Sequence, residues 1–210
     1  MIDSIYSSYS ALNAATEKQG ITSNNIANST TPGYKSKRAS QVDASGGGTY
    51  INSVNSNNTE SYIIRTGNNL DLAINGRGYF KLDNGNSNII TRNGSFRIDE
   101  NRQIVDNEGN VLFRLNGGLT NNEIRNINID KEGNIYTGNR FLGRLEIVDK
   151  YGNTIPENNY EILSGYLEAS NVDMTKELVD NLINLRYLQA NAESFKTSDE
   201  LIGTIVNLKG

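Results

Sequence analysis

Apolar residues near the start of the chain recur every three or four positions, which predicts one amphipathic helix over residues 2–28. The repeat consists of four residues: Ile2, Ile5, Tyr9 and Leu12. Pro32 disfavours the α conformation at Thr31, and the pair Pro32-Gly33 suits the two central positions of a type II turn. The first helix is therefore predicted to end before a tight turn.

The end of the chain carries a second and longer apolar stripe at the same spacing. Its members are Leu178, Leu182, Leu185, Leu188, Ala192, Phe195, Ile202 and Ile205. Asp173 is the predicted N-cap, and the repeat is interrupted near Ser198 and Asp199. A helix over residues 173–208 would be about 54 Å long, which exceeds what a compact domain of this size usually contains. The stripe therefore needs a partner, either the first helix or helices of neighbouring molecules.

Between the two helical stripes the apolar period changes to two, which predicts β-strands. Leu70, Leu72 and Ile74 alternate with polar or small residues, and shorter alternations follow as far as Ile147. Residues 61–165 are therefore predicted to form a central antiparallel β domain. Residues 43–60 are rich in Ser, Gly and Asn and are predicted to form a flexible connection.

Three connections in the β domain share one pattern, with Asp first, Gly fourth and Asn fifth. They lie at residues 106–110, 130–134 and 149–153. An Asp at the first position and a left-handed Gly at the fourth are typical of a hairpin that combines a type I turn with a bulge. Asp and Asn are favoured in such turns for their local hydrogen bonds, so these acidic residues do not predict a calcium site.

The residue types that are missing narrow the function. The 210 residues include no Cys and no His, which excludes thiolate zinc sites, disulfides and catalytic groups built on imidazole. The net charge of −4, without a basic cluster, argues against a nucleic-acid partner. No segment has the length of a membrane helix or the pattern of a cleaved signal peptide. We predict no catalytic residue, no cofactor, no bound metal and no membrane insertion.

Two further segments superficially suggest ligands. Residues 99–103 open like a calcium loop but lack its central Gly and closing Glu, and Gly76-Arg77-Gly78 lacks the third glycine of a dinucleotide loop. Paired carboxylates could support glycosidase chemistry, but any chain with 24 acidic residues contains close pairs. Turn and surface roles explain these residues better.

Three ordered motifs lie at residues 24–35, at 66–80 with 91–96, and at 165–173. They resemble the bacterial flagellar basal-body rod and hook proteins. The sequence NNIANSTTPGYK at residues 24–35 is similar to the N-terminal motif of that family. The sequence TGNNLDLAINGRGYF at residues 66–80, with TRNGSF at 91–96, is similar to the opening of the family's β domain. The sequence GYLEASNVD at residues 165–173 resembles the segment before its C-terminal helix. Together the motifs span nearly the whole chain.

The resemblance implies an α+β fold in which the N- and C-terminal helices pair as an antiparallel coiled coil beside the central antiparallel β domain. Residues 1–42 and 166–210 would form a terminal helical polymerisation domain. The implied function is a structural subunit of the flagellar rod that assembles with itself into a helical tube. Its further partners would be other rod and hook proteins and the type III export apparatus, which would deliver it to the basal body in the cell envelope.

Within the family, residues 5–11 and the segment 27–33 look more like the proximal-rod type than the distal-rod type. The alternative from another class is a secreted β-rich carbohydrate-acting or adhesive protein, with termini that pack on its own core. Two departures from the family pattern stand out. The region after Lys35 is short, and Arg102 stands where relatives often have Gly, so we expect Asn101 to supply the left-handed turn residue.

The predicted subunit-interface residues come from the two terminal motifs and the helical stripes. They are Leu12, Asn24, Asn25, Ala27, Asn28, Thr31, Pro32, Gly33, Tyr34, Gly165, Leu167, Ser170, Asn171, Val172, Leu178, Leu182, Leu185, Leu188, Phe195, Ile202 and Ile205.

Overall fold

The computed structural model describes residues 2–44, 48–115 and 118–208, without the side chains of residues 2–4, 202 and 205–208. The chain forms two compact units. The terminal unit contains Met1–Ser29, Lys35–Thr59 and Asn171–Gly210, and the β unit contains Thr30–Tyr34 and Glu60–Ser170. This division places residues 43–44 and 48–59 with the chain ends, whereas the sequence suggested a separate connection over residues 43–60.

The terminal unit consists of helix α1 (Ile2–Ala27), strands β1 (Lys37–Asp43) and β2 (Thr49–Ser56), and helix α3 (Met174–Leu208). Asp173 caps α3 as predicted, since its carboxylate accepts a hydrogen bond from the backbone N–H of Lys176 at 3.1 Å. Helix α3 continues through Ser198 and Asp199, where only the apolar repeat is interrupted, in agreement with one predicted helix over residues 173–208. The Ser198 hydroxyl donates to the Ser194 carbonyl at 2.9 Å, which lets a serine remain inside the helix.

The segment after Asp43 corrects one sequence prediction. Residues 49–56 are not a flexible connection, because β2 pairs antiparallel with β1 from Lys37 opposite Ser56 to Asp43 opposite Thr49. Aromatic and β-branched residues favour this strand, and its high Ser and Asn content hid them. Residues 45–47, within the same predicted connection, lie outside the described residues.

The β unit is built from antiparallel strands, in agreement with the predicted α+β fold. In chain order they are β3 (Ile63–Arg65), β4 (Leu72–Gly76), β5 (Tyr79–Asp83), β6 (Asn88–Thr91), β7 (Arg97–Ile98), β8 (Gln103–Val105), β9 (Val111–Arg114), the short helix α2 (Asn121–Arg125), β10 (Ile127–Ile129), β11 (Asn134–Thr137), β12 (Arg140–Arg144), β13 (Ile147–Val148), β14 (Tyr160–Ser164) and β15 (Tyr166–Glu168).

Strand pairing joins the beginning of the β unit to its end. Strand β3 pairs with β15, and β4 pairs with β14. The larger sheet has the order β13-β5-β9-β8-β7, with β6 also on β5, and β10-β11-β12 form a separate sheet. A single apolar cluster packs between them and includes Leu72, Phe80, Ile104, Ile135 and Ile162. The β unit therefore has a core of its own.

The three Asp-Gly hairpin turns have the predicted geometry. In each turn the backbone N–H of the fifth residue donates to the carboxylate of the first, at 2.8 Å for Asp106, 2.8 Å for Asp130 and 3.0 Å for Asp149. The glycine at the fourth position has φ between 86° and 89° in all three turns. The acidic residues thus serve the backbone of the turns.

A fourth turn, at residues 99–103, corrects the expectation about Asn101. The left-handed residue is Arg102 itself, with φ of 59°, and the N–H of Gln103 donates to the Asp99 carboxylate at 2.7 Å. The turn requires a positive φ at its fourth position whatever residue stands there. A hydrogen bond of 2.8 Å from the Arg102 guanidinium to the Leu119 carbonyl helps to hold this conformation.

Candidate functional site

Helices α1 and α3 pack antiparallel in the terminal unit, which confirms the predicted pairing. Three side-chain contacts define the direction: Asn25 with Glu177 at 3.1 Å, Thr22 with Asn184 at 3.4 Å, and Ser8 with Ser194 at 3.4 Å. Leu178, Leu182 and Leu185 are each between 41% and 64% exposed. Most of the predicted leucine stripe therefore lies outside the seam between the two helices.

The buried positions of the two helices are small or polar. On α1 they are Ala11, Ala14, Ala15, Thr22 and Asn25, and among the described side chains of α3 only Glu177 is buried. Small side chains allow close approach of neighbouring elements but bury little apolar area. Pairing inside one chain consequently leaves most large apolar side chains of α3 uncovered.

The first half of α3 presents a broad apolar surface, which we call the apolar face of α3. It consists of Leu178, Val179, Leu182, Ile183, Leu185 and Tyr187, each between 41% and 64% exposed. Val179, Ile183 and Tyr187 were missed in the sequence, although their spacing of four residues could have revealed them. Large exposed apolar patches mark sites of protein association in soluble proteins.

The other predicted stripe residues have different surroundings. Leu12 and Leu188 are half-buried, and Phe195 is 37% exposed. The side chains of Ile202 and Ile205 lie outside the described residues. Some residues of the predicted stripe therefore pack in the helix pair and others are exposed. The apolar spacing in the sequence did not distinguish the two groups.

Asn25 joins three elements of the terminal unit. Its side-chain oxygen accepts the backbone N–H of Lys37 at 2.9 Å, and its amide nitrogen donates to the Lys37 carbonyl at 2.9 Å and to the Glu177 carboxylate at 3.1 Å. The residue is 1% exposed. The side chain of Asn25 thus fixes the end of α1 against the start of β1 and the first turn of α3.

Asn171 makes an equivalent set of contacts at the other motif. Its side-chain oxygen accepts the N–H of Ser36 at 2.7 Å, and its amide donates to the carbonyls of Asn57 at 2.7 Å and Thr59 at 3.1 Å. Both asparagines therefore work inside the terminal unit. Their predicted role at a subunit interface stays a prediction.

In the β unit, the turn at residues 31–34 contacts the backbone of Arg92 and Glu168, whose side chains form a buried ion pair. The Tyr34 N–H donates to the Thr31 carbonyl at 3.2 Å and Gly33 has φ of 67°, which confirms the predicted type II turn. The Gly33 N–H donates to the Glu168 carbonyl at 2.7 Å, and a Cβ on Gly33 would lie 2.3 Å from the Arg92 carbonyl oxygen. Only glycine fits this position.

The ion pair itself joins Arg92 to Glu168, with 2.6 Å between Nε and Oε2 and side chains 7% and 2% exposed. The Arg92 guanidinium also donates to the carbonyls of Ile74, Gly76 and Gly78. Neither charged residue was predicted from the sequence, although each lies within a family-like motif. The sequence alone could not reveal this pair, because Arg92 and Glu168 are far apart along the chain and meet only in the folded β unit.

The remaining motif residues differ in their exposure to solvent. In the terminal unit, Asn24 and Ala27 are exposed, and Asn28 and Val172 are half-buried. In the β unit, Thr31, Pro32, Tyr34 and Leu167 are half-buried, and Gly165 and Ser170 are buried. The Gly165 N–H donates to the Asp71 carbonyl at 2.8 Å, and the Ser61 hydroxyl donates to the Ser170 carbonyl at 3.1 Å.

The acidic side chains of the turns have a structural explanation. Hydrogen bonds from the side chain and backbone of Asn153 hold the pKa of Asp149 below its usual range. Burial opposes ionisation of Asp130, but hydrogen bonds from Asn134 and Glu132 outweigh it and lower the pKa of that carboxyl. Within the described residues, no group of three or more acidic side chains is arranged to hold a metal ion. Neither long helix, as far as it is described, is apolar enough to cross a bilayer.

Three family models match successive parts of the chain. The flagella basal body rod protein model matches residues 5–35, the flagellar hook protein FlgE/F/G D1 domain matches residues 73–137, and the flagellar basal body rod FlgEFG protein C-terminal model matches residues 163–208. These regions hold the first helix, most of the larger sheet, and the last strands with α3.

Similar relatives extend over the same regions. The flagellar basal-body rod protein FlgG of Bacillus subtilis is 28% identical over 263 aligned positions, which cover 100% of both chains. FlgF of Mesorhizobium japonicum is 25% identical over 98% of each chain. The flagellar hook protein FlgE of Escherichia coli is 39% identical over 86% of this chain but only 47% of its own length.

These relatives are structural proteins, which argues against the carbohydrate-acting alternative. The three models follow one another in the order of the sequence motifs and together account for the helices and the β unit. The chain belongs to the flagellar basal-body rod protein family.

Proposed function

We propose that the chain polymerises into the axial rod of the flagellum and that helices of neighbouring copies bury the apolar face of α3. The observation that carries this proposal is the exposure of Leu182, 64%, and Ile183, 58%, beside a helix seam that is small and polar. A rod subunit needs surfaces that remain available after its own chain has folded. The apolar face of α3 meets that requirement.

The energetics favour helices that become fully ordered only in the assembly. Isolated helices are marginal in water, and ordering one residue costs about 1–2 kcal/mol. Burying one Leu or Ile side chain returns about 1.5–3 kcal/mol, so the apolar face offsets the cost only where neighbours cover it. Such subunits remain monomeric before assembly, which suits passage through the flagellar type III export apparatus.

We also propose that this protein forms the distal part of the rod. The first residues favour the proximal type, but FlgG relatives, which are distal, align along 99–100% of this chain, against 95–98% for FlgF. The same rod would join other rod and hook proteins at its ends. Gold-labelled antibody against the β unit, applied to isolated basal bodies, tests the stage. Label on the hook side of the rod supports the proposal, and label on the inner-membrane side contradicts it.

Replacement of Leu182 by Asp tests polymerisation. Leu182→Asp places a charge on the apolar face and should abolish motility while the subunit is still exported in normal amounts. Leu182→Met is the matched control, because it preserves volume and apolar character and usually costs less than about 1.5 kcal/mol. Motile cells with normal rods that contain the Asp variant would refute the proposed function.

A further inference from the structure

A cleft in the terminal unit is lined by charges that the helix pair does not use. It lies between α1, β1 and the first turns of α3 and encloses about 260 Å³. Four basic residues line it: Lys18, Lys37, Arg38 and Lys176. None of these four side chains forms an ion pair with another described residue. The cleft therefore offers four cations that have no ion-pair partner in the part of the chain that the structure describes.

The lining of the cleft also includes apolar and acidic side chains. Ile21 and Ile183 supply the apolar part, and Glu177 and Asp180 supply two carboxylates. The Glu177 carboxylate is 7% exposed and accepts a hydrogen bond from the Asn25 amide. Four cations against two carboxylates leave an excess of positive charge. An occupant with exposed acidic and apolar side chains would fit this cleft.

Ile183 belongs both to the cleft and to the apolar face of α3. A helix that covers the apolar face would therefore deliver its own side chains to the cleft. The proposed rod supplies such helices only from other copies of the chain or from closely related subunits. The identity of the occupant follows from which helix carries the matching charges.

The second half of α3 carries them. Glu193, Asp199 and Glu200 are exposed there against one basic residue, Lys196, and Phe195 and Leu201 are exposed beside them at 37% and 54%. Helix α1 has no such surface, since its described charged residues are the neighbouring Glu17 and Lys18. Charge and apolar character thus match the second half of α3.

The matching residues cannot come from the same molecule. Helix α3 is continuous from Met174 to Leu208, so Asp199 lies about 28 Å along the helix axis from Asp180. A continuous helix cannot fold back on its own first turns. We propose that the basic cleft receives the acidic second half of α3 from a second copy of the chain, an inference that rests on the proposed polymerisation.

Charge reversal on both sides tests this contact in the full-length chain. The cleft variant carries Lys18→Glu and Arg38→Glu, and the acidic variant carries Glu193→Lys and Asp199→Lys. A control with Arg77→Glu and Lys150→Glu makes the same charge change at exposed positions of the β unit. The readout is the critical concentration for polymer that sediments, measured at low and at physiological salt, with circular dichroism to verify folding.

We expect each paired variant to raise the critical concentration about tenfold, and the combined four-substitution chain to recover most of that loss. The effect should shrink as salt rises, and the control should match the parent. Parent-like polymerisation of the cleft variant, or no recovery in the combined chain, would overturn the contact. So would loss of motility with normal polymer formation, which would point to a different flagellar protein as occupant.

The variant Leu182→Asp distinguishes failure of the cleft contact from failure of polymerisation itself. If it blocks polymer formation while charge reversal does not, polymerisation stands and the cleft contact falls. If Leu182→Asp also polymerises normally, the proposed function itself fails.

Discussion

The terminal unit and the β unit hold themselves together in different ways. Among the side chains that the structure describes, every buried apolar one larger than alanine lies in the β unit, between Leu72 and Ile162. The buried side chains described in the terminal unit are three alanines and several polar residues. Among the described residues, the buried side-chain oxygen without a hydrogen-bond partner is also in the terminal unit, on Gln19. The β unit therefore has an apolar core of its own, whereas the terminal unit leaves large apolar side chains exposed for association.

The contrast separates stability from specificity. A buried apolar cluster stabilises the β unit at about 25 cal/mol for each Å² removed from water. The hydrogen bonds of Asn25 contribute far less net stability, about 1 kcal/mol each. Any other relative position of α1, β1 and α3 would, however, leave buried polar atoms without hydrogen-bond partners. The polar seam thus fixes how α1, β1 and α3 meet, while the apolar face of α3 is left for association.

The largest expected difference between the units is in hydrogen exchange of the monomer. We expect amides of β5 and β8 to exchange at least about a thousandfold more slowly than amides in the middle of α3, because the β unit opens only by global unfolding. Mass spectrometry of the exported monomer measures this ratio. Equal protection in α3 and β5 would break the comparison, because the terminal unit would then be stable alone.

Removal of Arg92 should be the most damaging substitution in the β unit. Arg92→Leu leaves the buried Glu168 carboxylate unpaired, and we expect a loss of about 3–5 kcal/mol in the free energy of unfolding. Arg114→Leu is the matched control, because its ion pair with Asp83 is exposed and should contribute less than about 1 kcal/mol. Urea titration followed by tyrosine fluorescence measures both, and equal losses would contradict the structural role of the buried pair.

Gly33→Val should destabilise the turn at residues 31–34 by about 2–3 kcal/mol and hinder assembly more than export. The side chain would meet the Arg92 backbone, and the positive φ adds strain. Gly67→Val is the control, since Gly67 has φ of 78° with no atom within 4 Å of an added Cβ. It should lose only the strain of about 1 kcal/mol. The variants are compared by thermal unfolding and by the amount of rod formed.

The smallest effect concerns acid. The carboxyl groups with resolved pKa shifts lie in the β unit, and the pKa of each, including Asp149 and Glu146, is lowered by hydrogen bonds. A lowered pKa stabilises the folded state above about pH 4 and loses that contribution as pH falls further. The melting temperature of the β unit should therefore decrease below pH 4. A melting temperature that rises on acidification would reverse the sign of this expectation.

Local chemistry in the sequence was enough to predict several elements. The spacing of apolar residues gave both helices, and Asp173 marked the start of α3. Pro32-Gly33 and the Asp-Gly pairs gave turns, because φ preferences and side-chain hydrogen bonds act within a few residues. The hairpin at 37–56 was missed because its strand signal is diluted by Ser and Asn. The positive φ of Arg102 was missed because the geometry of the turn requires it, and arginine itself has no preference for that conformation.

The amino-acid sequence by itself determined that the chain has two terminal helices, antiparallel strands and no imidazole or thiol chemistry. It could not decide which face of α3 meets α1, because a stripe of leucines is equally suited to either partner. Only the tertiary structure placed Glu177, Asn184 and Ser194 on the seam and left Leu182 and Ile183 exposed. That choice depends on long-range hydrogen bonds and on the small residues of α1, and contacts between residues more than a hundred positions apart leave no periodic signal in either segment.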